Sequence, residues 1–186
     1  MKNAHTANQF AGRAIGSIFF AGFGALWLFL SLYAMQRLSA VTVSGILLGA
    51  LLLLLASVYL LRLARRWPRV PDDPAVGRAF GWVNAIQWTA VAIVAVTFTR
   101  LRLDAYIVSA ITLIVGLHMF PLARLFRYPL HYAAGGALVA WAVASAMLEP
   151  ADQLQGITAL GTGLILWLSA AVTLALALQS ARQTPP

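Results

Sequence analysis

The chain has 186 residues, 61% of them hydrophobic and 10% charged, with mean hydropathy +0.83. That leaves too little polar surface for a soluble domain, and apolar runs of about 20 residues mark membrane-spanning helices. The net charge of +8 sits on basic residues flanking apolar runs, which reads as membrane topology and lipid headgroups rather than nucleic acid.

The first twelve residues are mostly polar or small and read as a short tail, with no cleavable signal pattern. The first span is predicted from Ala14 to Met35, uncharged, with Gly16, Gly22 and Gly24 offering close approach to another helix. A turn at Gln36 to Ser39 leads to the second span, Ala40 to Leu61. Gly45 and Gly49 form a GxxxG there, suited to packing within the chain or to a dimer face.

Arg62, Arg65, Arg66 and Arg69 follow, spaced to share a helical face. They are expected to anchor the helix end on anionic lipid headgroups; a specific phosphate site is the sharper alternative. Pro68, Pro71 and Pro74 break the helix, and Asp73 before Pro74 is an N-cap followed by proline at the first helical position. The third span, Ala79 to Thr99, carries Asn84 and Gln87 on one face.

The fourth span, Ala105 to Ala123, holds His118 and Pro121. Pro121 frees the carbonyl of Leu117 and can kink the helix beside His118. Arg124 and Arg127 precede the fifth span, residues 129–148, with His131 and Tyr132 in its first turns. An acidic turn, Glu149 to Gln153, leads to the sixth span, Gly156 to Leu178, and a polar tail. The prediction is therefore an all-α bundle of six transmembrane helices forming one domain.

Ten of the 13 Lys and Arg lie on one side of this layout; Arg37, Arg100 and Arg102 lie on the other. The positive-inside rule puts both termini in the cytoplasm.

Asn84 and Gln87 fall roughly 8 and 12 Å inside the start of their span, at about 1.5 Å per residue. His118 and His131 fall in the same half of the membrane. Buried polar groups in spans face the bundle interior or a cavity. Two readings stay open: interhelical hydrogen bonds alone, or a cytoplasm-facing pocket of His118, Asn84, Gln87, His131 and Tyr132. The five acids, Asp72, Asp73, Asp104, Glu149 and Asp152, all fall in predicted loops. Proton-coupled transport usually needs a carboxylate inside the membrane. There is no cysteine, so thiolate sites and cysteine nucleophiles are excluded. No metal or cofactor is expected, and no P-loop, GxSxG or HExxH motif points to an enzyme. The span serines Ser44, Ser57, Ser109 and Ser145 read as isolated hydroxyls.

The stretch Gly-Leu-His-Met-Phe-Pro-Leu-Ala-Arg-Leu-Phe, Gly116 to Phe126, resembles a motif of small, uncharacterised bacterial membrane proteins with several spans. The short-loop layout is also similar, in architecture only, to acid-resistance membrane proteins of the HdeD type. The first resemblance brings no known activity and the second carries no residues over. With no enzyme motif present, the expectation is a bacterial inner-membrane protein without catalysis, either a stress-linked component or an accessory subunit. The alternative is a small transporter or channel working through the His118 region. The bilayer is the expected partner, and a second copy or another membrane protein is left open.

Overall fold

The computed structural model describes residues 2–67, 71 and 73–183, with side chains from residue 7 onward. Among the described residues every element is helical. These are α1 (Lys2–Ala34), α2 (Ala40–Ala64), α3 (Pro74–Arg100), α4 (Ile107–Leu125), α5 (Leu130–Leu148) and α6 (Ala151–Gln183). A 3-10 turn at Asp104–Tyr106 runs into α4. All six helices are long and apolar enough to cross a membrane.

Helix α6 is the hub and packs along α1, with α2, α4 and α5 around it. Helices α4 and α5 form the second close pair. Helix α3 leans on α4 and buries none of its residues. Large side chains on α2 and α3 such as Leu47, Leu52, Tyr59, Trp82 and Ile86 point outward. That is the surface a bilayer would cover.

Two helices exceed the predicted spans. Helix α1 begins at Lys2 rather than near residue 14, and α6 runs on to Gln183. Ala7, Phe10 and Ala14 of α1 bury against Leu60 and Ala64 of α2, Trp67, and Leu174, Ala177 and Ala181 of α6. Phe10 and Trp67 lie ring to ring at 5.4 Å. The polar residues interspersed in this stretch mask the helical spacing of residues 7, 10 and 14 in the sequence.

The contacts also sort the loops by end. Phe10 with Trp67, and Arg13 with Tyr128, put the start of α1, the turn after α2 and the α4–α5 turn together. Gln155 donates to the Asp104 carbonyl at 2.8 Å, and Gly156 lies against Met35, so the other three turns share the opposite end. The ten basic positions thus gather at one end, apart from Lys2 and Arg69, whose side chains lie outside the described residues.

Local chemistry sets the helix ends. Ser39 and Thr42 form a reciprocal capping box at the start of α2. Asp73 accepts from the Ala75 amide at 2.8 Å, with Pro74 at the first helical position, as the sequence predicts. Helices α1, α3 and α4 end in the same motif. The residues Gln36, Arg102 and Arg127 take left-handed φ of 54°, 56° and 50°. The next amide reaches five residues back, as Tyr128 does to Ala123 at 3.0 Å. Glycine is usual there; three longer side chains accept the strain instead.

Of the predicted glycines Gly24 and Gly49 make close approaches, and Gly116, Gly135 and Gly163 join them. Gly24 and Gly163 abut where α1 crosses α6, and Gly116 and Gly135 abut where α4 crosses α5. The indole of Trp167 lies over Gly24 and Gly49 and donates to the Ala21 carbonyl at 3.0 Å. Gly16, Gly22 and Gly45 face open space. Only half of the GxxxG is therefore used within the chain.

Candidate functional site

Two polar centres lie inside the bundle, one near each end. The first centres on the histidines. His118 on α4 is half-buried and hydrogen-bonded to the Val83 backbone of α3. His131, in the first turn of α5, lies within electrostatic reach of His118. The turn between α4 and α5 brings the two together. His131 is ringed by aromatics: Phe20 of α1 at 5.7 Å, Tyr128 at 5.1 Å and Phe126 at 6.5 Å, all edge-on. Tyr128 donates to Thr173 of α6 at 3.1 Å, and the Arg13 guanidinium stands 5.2 Å over its ring.

The other three predicted residues are arranged differently. Asn84 turns back along its own helix and donates to the Phe80 carbonyl at 2.8 Å. Gln87 is half-buried on α3. Tyr132 is exposed, with its ring 6.0 Å from Phe120. Thus His118 and His131 lie within electrostatic reach of each other, while Asn84 binds its own helix. Two shallow, mainly apolar cavities of about 260 and 270 Å³ indent the surface, and none of the five residues lines either.

Helix α2 ends at Ala64, so Arg62 is helical whereas Arg65 and Arg66 lie in the turn beyond it. The three are exposed; Arg69 lies outside the described residues. The chain turns there because Trp67 swings inward onto Phe10, 4% exposed.

The second centre was not predicted. Ser109 of α4, Ser145 of α5 and Thr158 of α6 are all buried and linked, at 3.1 Å from Ser109 to Thr158 and 2.9 Å from Thr158 to Ser145. Ser145 donates to the Ala142 carbonyl, and Thr158 donates to Ser145, so the Ser109 hydroxyl must donate to Thr158. Thr112 and Thr162 are joined at 2.9 Å, and Thr162 donates to the Thr158 carbonyl, as does the Trp141 indole. This correction has a clear cause. Read along the chain these hydroxyls are isolated, and only the helix crossings bring them into one network. The i, i+4 pair Thr158 and Thr162 is the one sequence signal that points to it.

The network ends on carbonyls, which cannot pass a proton onward. It ties three helices together. Among the described residues no group of three or more His, Cys, Asp or Glu is placed to hold a metal ion. The chain matches no family model, no curated protein and no solved structure in the comparisons made.

Proposed function

We propose that the chain is a six-span protein of the bacterial inner membrane, with its basic end and both termini in the cytoplasm. It works without catalysis, as a stress-linked membrane component or an accessory subunit. The observation that carries this reading is how the hydroxyls inside the spans are used. Ser109, Thr112, Ser145, Thr158 and Thr162 bond to one another or to backbone, which is what helix packing in lipid calls for. The resemblance of Gly116–Phe126 to small bacterial membrane proteins points the same way. The exposed Arg62, Arg65 and Arg66 suit anionic headgroups, each worth about 1 kcal/mol near such a surface.

A second reading rests on the nearness of His118 and His131 at the basic end. It takes the chain as a small transporter or channel for a neutral or anionic solute, entered from the basic end. His118→Leu separates the two. An interhelical hydrogen bond in a membrane is worth about 0.6 kcal/mol, so the variant should insert and fold nearly normally. Full rescue of a deletion phenotype by this variant supports the first reading. Normal protein levels without rescue, together with solute uptake by wild-type proteoliposomes, would replace it with the second. For orientation, reporter fusions at the C-terminus and between α2 and α3 should report cytoplasm, and one at Gln153 the outside. A cytoplasmic signal at Gln153 removes the topology.

A further inference from the structure

The cavity of about 260 Å³ lies between α4 and α5, with Phe98 of α3 at its side. Its origin is the crossing at Gly116–Gly135, where the two helices abut. Helices that cross at an angle part on either side of the contact. Two turns from Gly116, about 10 Å along α4, the gap is lined by Ser109, Ala110, Ala142 and Ala146, which leave it unfilled.

The space is a slot that runs alongside the helices. On α4 it follows a stripe from Tyr106 through Ser109 and Ala110 to Leu113, at helical spacing. Its lip residues Val143 and Met147 are 46% and 78% exposed, so it opens sideways onto the surface a bilayer covers. Of the lining residues only Tyr106 and Ser109 carry a hydroxyl, and that of Ser109 is engaged with Thr158. Left empty, the walls forfeit dispersion contacts. A volume of about 260 Å³ along about 10 Å of helix is too narrow for another helix, which is about 10–12 Å across. A hydrocarbon chain has the width, the direction and the polarity that the slot takes.

The slot ends at the turns opposite the basic end. Two residues from Phe98, Tyr106 and Met147, on that side, stand Arg100, Asp104 and Glu149. Among the described residues none of the three makes an ion pair. With exposed Arg102 in the same turn, the mouth carries two cations and two carboxylates. That balance suits a zwitterion better than an anion: the guanidinium forks donate to a phosphate, and the carboxylates accept from an ammonium. We infer that the slot holds one acyl chain of a phosphatidylethanolamine-type lipid, with its phosphate and ammonium at this mouth. This lipid site goes beyond the proposed function and rests only on its premise that the six helices cross a bilayer, which the reporter fusions test separately.

The test uses the purified full chain in detergent, mixed in turn with phosphatidylethanolamine, phosphatidylcholine and phosphatidylglycerol. Native mass spectrometry should show one phosphatidylethanolamine retained about tenfold better than either of the others. Phosphatidylethanolamine with a photoactivatable diazirine in its acyl chain should mark residues 106–113 and 142–147 more heavily than the exposed Leu47, Leu51 and Leu55 of α2, which meet bulk lipid. Ala146→Leu fills the slot, and should lower retention about tenfold and remove that mark. Arg100→Gln leaves the slot as it is and should remove most of the preference among headgroups without lowering the melting temperature. Arg37→Gln, exposed at the same end, should change neither. Equal retention of the three lipids or equal marking of α2 overturns the site. So does wild-type retention in Ala146→Leu, or a loss in Arg37→Gln equal to that in Arg100→Gln, which would reduce it to diffuse charge.

Discussion

Thr158 is the junction of the hydroxyl network, and replacing it by valine tests whether that network holds the helices. The substitution keeps the branched shape and removes the oxygen that accepts from Ser109 and donates to Ser145. Two interhelical bonds at about 0.6 kcal/mol each sum to about 1.2 kcal/mol. Ser109 is 4% exposed, so its hydroxyl is stranded unless it turns back to its own helix. A stranded buried donor costs about 1–3 kcal/mol, so the total loss falls between about 1 and 4 kcal/mol. The Thr158 carbonyl keeps its bonds from Trp141 and Thr162, which confines the effect to the side chain. Reversible unfolding in mixed micelles measures the loss. A cycle with Ser109→Ala isolates the pair, with an expected coupling of about 0.6 kcal/mol. Ser57→Ala is the control, because Ser57 bonds only to the Leu53 carbonyl of its own helix. A loss at Thr158 no larger than at Ser57, with zero coupling, would refute the reasoning.

The glycines separate in the same assay. A Cβ on Gly24 or Gly49 would lie 2.3 or 2.4 Å from the Trp167 ring, so Gly24→Ala and Gly49→Ala should each cost about 1–3 kcal/mol. Gly45→Ala faces open space and should be neutral or gain up to about 1 kcal/mol from helix propensity; equal effects at positions 45 and 49 would contradict the packing described. Gln36→Gly removes the left-handed strain at the end of α1 and should stabilise by about 1 kcal/mol, seen as a higher melting temperature. A lower one would mean that the Gln36 side chain matters more than its backbone.

The sequence by itself determined the class of molecule. Runs of apolar residues report on partition into a low-dielectric phase, and that property is local, so six helices and most of their boundaries follow from composition alone. The Asp73–Pro74 start of α3 was legible for the same reason, because a cap is made by neighbours in the chain. The sorting of arginines between ends needs only the count of spans. The partners of the polar groups depended on the tertiary structure. Asn84 was matched by depth to His118, but its amide finds its own Phe80 carbonyl, and His118 meets the backbone at Val83. Depth fixes a position along the helix axis and says nothing of rotation about it. Ser109, Ser145 and Thr158 belong to three helices, and their meeting is set by the crossings at Gly116–Gly135 and around α6. Which glycines make crossings is decided by where Trp167 and the facing helices lie. In a chain where every face is apolar, hydrophobic periodicity cannot say which side turns inward, and only close packing of specific shapes does.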